Sequence, residues 1–152
     1  DTRKKLESYI AKSLTEENEE FSLIKREYML SEIRYWLLAS ESEKICDRDS
    51  VSILYFYSNE DCASCATQGT ILTFLKGKFE EQLLIFSLDA DFKQEPIIQI
   101  IKEAYNITVT PTLIIGDKKF EGLIKKENIL IEICPLLDKV NEECRAFKNG
   151  VM

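Results

Sequence analysis

Histidine is missing from all 152 residues. That removes imidazole ligands for zinc or haem, and it removes serine–histidine and cysteine–histidine catalysis. Glycine and proline are scarce, at 5 and 3 residues, which excludes collagen-like and low-complexity architectures. Basic residues are in deficit: 20 Lys and Arg face 27 Asp and Glu, giving a net charge of −7 and a pI near 4.8. Nucleic-acid binders carry a basic face, so no nucleic-acid partner is expected. No apolar run approaches the roughly 20 residues that a membrane-spanning helix needs. What is present is 45% hydrophobic and 31% charged residues, enough for one domain with a sizeable core. The chain opens on Asp1, from which we expect a removed signal peptide, membrane anchor or further domain ahead of it.

Cysteine is neither absent nor abundant. Its five positions are Cys46, Cys62, Cys65, Cys134 and Cys144, too few for a disulfide-built scaffold. The number is odd, so at least one thiol is free or pairs between molecules. Cys62 and Cys65 form a Cys-x-x-Cys pair, whereas Cys134 reads as a small buried hydrophobe in a helix.

Residues 1–45 read as helical throughout, and residues 50–148 alternate in type. In the first block Thr15 reads as an N-cap, followed by acidic Glu16, Glu17, Glu19 and Glu20, so two helices are expected. Phe21, Ile24 and Tyr28, with Leu23, Leu30, Ile33 and Leu37, make a wide apolar face that should pack on the second block. Val51–Tyr57 is rich in β-branched and aromatic residues and reads as a central strand. A helix follows from Cys62 to about Phe79, then a strand over Leu83–Leu88 ending at Asp89-Ala90-Asp91, then a helix with Pro96 in its first turn. Thr112–Ile115 is a third strand, turned through Gly116-Asp117-Lys118 into a fourth that Gly122 closes. A last long helix, Lys125 to about Phe147, is kinked or restarted at Pro135. The β-α-β unit requires a parallel pair, and the closing hairpin makes the sheet mixed.

Cys62-Ala63-Ser64-Cys65 falls where strand passes into helix. There the first sulfur meets unpaired N–H groups and the positive end of the helix dipole, which favours thiolate. Cys62 is the candidate nucleophile, and Cys65, one turn in, the candidate resolving thiol. Half of a zinc site is the alternative. It needs a second close pair of ligands, whereas Cys134 and Cys144 are ten apart, so no metal is expected. A second element, Val109-Thr110-Pro111-Thr112-Leu113, leads into the third strand. With the strand before Cys62, Asp89-Ala90-Asp91, Tyr105-Asn106-Ile107 and Gly122, the pattern over residues 51–148 resembles the thioredoxin superfamily. The resemblance implies an α/β, three-layer thioredoxin-like fold with a central mixed four-stranded sheet. It implies a cis bond at Pro111 lying against the Cys pair, and a Thr110 backbone that pairs with extended substrate peptide. It implies a monomer without cofactor, acting as a disulfide oxidoreductase on protein thiols and disulfides.

The chain departs from that family in several places. The buried Asp and the Lys that assist the second cysteine in thioredoxins fall at Phe56 and Ile85, both apolar. Asp61 stands where the family has Trp, and Ala63-Ser64 replace Gly-Pro. Glu60 and Asp61 place negative charge beside the nucleophile, which opposes thiolate formation. Residues 1–45 are read as an N-terminal helical extension packed on a thioredoxin-like domain of residues 46–152. Arg3-Lys4-Lys5 would suit the end of a removed membrane anchor, and a solvated first helical turn explains it as well. A non-catalytic thioredoxin-fold interaction module is the alternative function.

For the scattered cysteines, a continuous last helix descending from residue 125 carries Cys144 roughly 28 Å down. That is beside Cys46, which lies just before the first strand. A structural Cys46–Cys144 disulfide is therefore expected, with Cys134 free. Such a bond would favour an extracytoplasmic location over a cytoplasmic one.

Overall fold

The computed structural model describes residues 2–45 and 49–150, without the side chains of 8–18 and 42–45. Its helices are α1 (Thr2–Ile45), α2 (Ala63–Phe79), α3 (Pro96–Ala104), α4 (Lys126–Ile133) and α5 (Glu142–Lys148). Its strands are β1 (Val51–Tyr57), β2 (Leu83–Asp89), β3 (Thr112–Ile115) and β4 (Lys118–Glu121). They form one mixed sheet in the order β2-β1-β3-β4. β1 runs parallel to β2, from Val51 opposite Leu83 to Tyr57 opposite Asp89, and antiparallel to β3. β3 turns into antiparallel β4 through Gly116 and Asp117, with Gly116 at φ +60°, a conformation that glycine takes without steric cost.

Alternation along β1 sorts the core into two layers. Val51, Ile53 and Tyr55 face Leu72, Leu75 and Phe79 of α2 and Ile129, Leu130 and Ile133 of α4. Leu54 and Phe56 face Met29 and Ile33 of α1 and Ile98 and Ile101 of α3. Helices thus cover both faces of the sheet, as its continuous apolar strands require.

Two expectations about the helices change. α1 is one helix that runs through Thr15 without interruption; the Thr15 side chain lies outside the described residues. Only a narrow seam of α1 is buried, led by Met29, Ile33 and Ala39, while Phe21, Leu23, Ile24, Tyr28 and Leu37 of the expected apolar face are exposed. Periodicity identified the helix but not which of its faces the sheet covers. The last helix is not continuous either. α4 ends at Ile133, a short 3₁₀ turn spans Cys134–Leu136, and α5 begins only at Glu142. Pro135 has no N–H for a continuing helix. The Asp49 carboxylate then accepts hydrogen bonds from the N–H groups of Asp138 (2.7 Å) and Lys139 (3.0 Å) and from Gln82 Nε2 (2.8 Å). Asn141 caps α5 by accepting from the Glu143 N–H.

The break corrects the expected cross-link. The chain doubles back, so the Cα atoms of Cys134 and Cys144 lie 5.7 Å apart and the two form a disulfide. The Cys46–Cys144 bond is therefore not made, and Cys134 is buried but not free. Cys46 itself lies outside the described residues. Joining residues ten positions apart, this disulfide should stabilise by about 2.5–3 kcal/mol in the chain-entropy treatment. Replacing both Cys134 and Cys144 with alanine should lower the thermal midpoint by roughly 5–10 °C. An unchanged midpoint would show that the bond does not hold the C-terminal turn.

The Asp49 turn is acid-sensitive. Burial opposes its charge, but the hydrogen bonds from Asp138, Gln82 and Lys139 win and hold the carboxyl below its ordinary value of 3.8. A carboxyl lowered in the folded state stabilises fully above its unfolded value and loses that contribution as pH falls through the lowered one. Asp49→Ala should therefore cost about 1–2 kcal/mol near neutrality. The gap to the unsubstituted protein should close as denaturation is repeated toward pH 2. A gap independent of pH would contradict this account.

Candidate redox site

β1 delivers the chain to the C-terminal edge of the sheet, and the polar loop Ser58–Asp61 reverses it into α2. Asp61 makes the reversal at φ 47°, a left-handed conformation that Asp tolerates better than most residues. Cys62 follows as the N-cap of α2 and Cys65 sits one turn inside, its N–H bonded to the Cys62 carbonyl at 3.1 Å. The two sulfurs form a disulfide. Cys62 is half-buried, whereas Cys65 is only 5% exposed. The outer sulfur thus meets solvent and the inner one meets the sheet.

The supports of this turn were not legible as motifs. The Tyr55 hydroxyl donates to the Cys65 carbonyl at 2.6 Å and fixes the first turn of α2 on the sheet. The Ser58 N–H donates to Cys65 Sγ at 3.5 Å, a donor that would favour negative charge on that sulfur once reduced. The Ser58 hydroxyl in turn donates to the Asp91 carboxylate. Asp89, at the end of β2, accepts from Lys25 Nζ of α1 at 2.5 Å and from Asn59 Nδ2 at 3.4 Å. The N-terminal helix is thereby tied to the loop that precedes Cys62. Phe56 is fully buried on the opposite face of the sheet, among residues of α1 and α3.

On the side of β3, the Thr110–Pro111 peptide bond is cis. Thr110 is half-buried and Pro111 is buried, with the Pro111 carbonyl accepting from the Gly122 N–H at 2.8 Å. On the side of β2, Cys62 and Cys65 line a cleft of about 470 Å³ with Tyr28, Tyr55, Tyr57 and Ser87. Burial first, then Asp89, Tyr28 and Tyr55, push the Tyr57 phenol up to about 12, so it stays neutral at ordinary pH. A depression of about 420 Å³ at Lys78–Gln82 and Asn141–Glu143 contains no cysteine and lies away from this chemistry. Among the described residues, no group of three or more Cys, Asp or Glu is placed to hold a metal ion.

No family model matches the chain, and no curated protein matches it in sequence. Solved structures do. Chloroplastic thioredoxin z is 19% identical, with a TM-score of 0.49 over 63% of this chain and 85% of its own. Thioredoxin-2, a component of malaria parasite protein secretion machinery, is 16% identical, with a TM-score of 0.48 over 58% of this chain and 84% of its own. A malarial protein is 17% identical, with a TM-score of 0.49 over 58% of this chain and 98% of its own. The sheet order β2-β1-β3-β4, the helices on both its faces and the Cys62–Cys65 pair where β1 enters α2 make this a thioredoxin-like fold with an added N-terminal helix.

Proposed function

We propose that the chain is a thiol–disulfide oxidoreductase acting on the cysteines of protein substrates. The observation that carries this reading is the asymmetry of the Cys62–Cys65 disulfide, with one sulfur accessible at the head of α2 and its partner buried one turn inside. In the reducing direction the Cys62 thiolate attacks a substrate disulfide, one substrate thiolate leaves, and a mixed disulfide forms. The Cys65 thiolate then attacks Cys62 Sγ and releases the second substrate thiolate. Two electrons and two protons pass to the substrate, and the Cys62–Cys65 disulfide is re-formed. The oxidising direction is the reverse. A small thiol or disulfide from outside closes the cycle. Thr110 and Pro111 would take the substrate backbone, a role supported by their place at the entry to β3 and by the family resemblance.

Charge sets the expected potential. Glu60 and Asp61 are exposed beside Cys62 and no histidine stands between the thiols, and both features work against the Ser58 N–H donor to the inner sulfur. A poorly stabilised thiolate pair gives a reducing couple, near the roughly −270 mV of thioredoxin and far from the roughly −120 mV of strong oxidants. Equilibration against glutathione tests both reading and value. A potential above about −150 mV would contradict the electrostatic argument. A pair inert to exchange would select the second reading, a partner-holding module, which the exposed Phe21, Leu23 and Ile24 of α1 favour. We further place the protein in an oxidising, extracytoplasmic compartment, on the support of the Cys134–Cys144 disulfide.

A further inference from the structure

The thioredoxin-like part supplies only some walls of the cleft beside the redox pair. Tyr28 comes from α1 and stands across from Cys62, Cys65, Tyr55 and Tyr57. The Tyr28 phenol lies beside the Glu32 carboxylate; burial and that carboxylate raise its pKa, and Glu32 accepts the Ser87 N–H of β2 at 3.2 Å. The next residue, Met29, is buried on the sheet, and Arg26, two residues before Tyr28, pairs with Glu95 at 3.0 Å. The Tyr55 hydroxyl is committed to the Cys65 carbonyl, so Tyr55 offers its ring, 5.6 Å from that of Tyr57. The cleft continues along α2 past Gly69 and Leu72, through Tyr55 and Ser87, into a further space of about 290 Å³.

Among the described residues no charged side chain lines the cleft beside the disulfide, and Lys76, which lines its continuation, is held by the Glu80 and Leu83 carbonyls, both at 2.7 Å. Lys25 is committed to Asp89. Glu60, Asp61 and Asp91 are exposed on the loops around the redox turn. Whatever enters the cleft is placed against the reacting sulfurs, sees aromatic rings first and then carboxylates. We propose that this cleft, walled by Tyr28 of the N-terminal helix, selects substrate segments with an aromatic or long aliphatic side chain beside the reactive cysteine and a basic residue next to it. The proposal rests on the redox reading given above.

The test uses the pre-reduced protein in single turnover, followed by mapping of the Cys62–Cys65 disulfide in quenched samples. Oxidants are hydroxyethyl disulfide and three peptide disulfides containing Lys-Phe-Cys, Lys-Ala-Cys or Glu-Phe-Cys. Each reaction converts one peptide disulfide into two peptide thiols and the protein dithiol into its disulfide. The Lys-Phe-Cys peptide should react about tenfold faster than Lys-Ala-Cys, the scale of discrimination an apolar pocket gives. Its advantage over Glu-Phe-Cys should shrink as salt is raised. Tyr28→Ala should bring the Phe-to-Ala rate ratio close to one, and Tyr28→Phe should retain it. Equal rates for the three peptides with the unsubstituted protein, or a ratio unmoved by Tyr28→Ala, would overturn the proposal and leave the redox reading standing. Failure to react with hydroxyethyl disulfide would overturn the redox reading and the proposal with it. Concentration-dependent self-association abolished by Tyr28→Ala would assign the cleft to a second copy of the chain and also overturn the proposal.

Discussion

Replacing Cys62 with serine should bring disulfide exchange to the background rate, a loss on the order of 10⁶-fold, the scale reached when an enzyme's nucleophile is removed. Replacing Cys65 should do something different: attack persists and the mixed disulfide accumulates. The difference follows from where the sulfurs sit. Cys62 is half-buried at the N-cap of α2, where helix N–H groups and the dipole lower the energy of a thiolate. Cys65 is 5% exposed beneath it, and its sulfur receives the Ser58 N–H. An incoming disulfide meets the first sulfur and is sterically shielded from the second. Both variants are best made with Cys46→Ser, so that the fifth cysteine adds no exchange of its own. Mass measurement after mixing with hydroxyethyl disulfide should find a stable adduct on Cys62 in the Cys65→Ser protein. Timed alkylation of the reduced protein should label Cys62 first. Faster labelling of Cys65 would reverse the roles assigned here.

Lys25→Met should cost about 3–5 kcal/mol, the range for removing one partner of a buried ion pair. The Lys25 and Asp89 side chains are only 15% and 8% exposed. Without the ammonium, the Asp89 carboxylate keeps Asn59 Nδ2 and the Asp91 N–H but no counter-charge. The loss should appear first as undocking of α1, because the pair joins that helix to β2. Trp36, the single tryptophan, reports it directly: its ring lies edge-on to Tyr105, with centroids 6.0 Å apart. A red-shifted Trp36 emission at a denaturant concentration that leaves the unsubstituted protein folded is the expected result. Lys25→Met combined with Asp89→Leu should recover much of the loss, since an apolar pair avoids the stranded charge. A Lys25→Met protein within about 0.5 kcal/mol of the original would show that solvent still reaches Asp89.

Much of this was readable in the residues, for identifiable reasons. The strands appear as short apolar runs because both sheet faces are covered, so Val51–Tyr57 and Thr112–Ile115 needed no alternation to be found. The two cysteines of the site announce themselves by spacing. What failed depended on tertiary choice. A helix such as α1, apolar on several sides, does not declare which stripe is buried, so Met29 was missed and Phe21 and Ile24 were placed inward. The scattered cysteines were paired by assuming that one helix ran from Lys125 to Phe147. Pro135 was noticed as a kink, but the carboxylate of Asp49, about 90 residues earlier, also shapes the turn that brings Cys134 to Cys144. Ser58 carries no local signal, and Tyr28 was read only as part of the inward apolar face of α1, where it is in fact exposed. Their roles come from the crossing of α1 over β2 and from a backbone N–H that every residue but proline possesses.

The contact between Glu32 and Ser87 has a consequence for solubility. Open sheets polymerise through unpaired edge strands, whose free N–H and carbonyl groups template another chain. Here the outer edge of β2 already has partners: Glu32 takes the Ser87 N–H, and Lys76 Nζ donates to the Leu83 carbonyl at 2.7 Å. The opposite edge, β4, is four residues long and begins with Lys118 and Lys119. Two copies meeting edge to edge through β2 must first strip side chains from backbone groups they already satisfy. The helix that walls the cleft therefore also guards the sheet against fibre-like association, and shortening the chain to remove α1 would expose that edge.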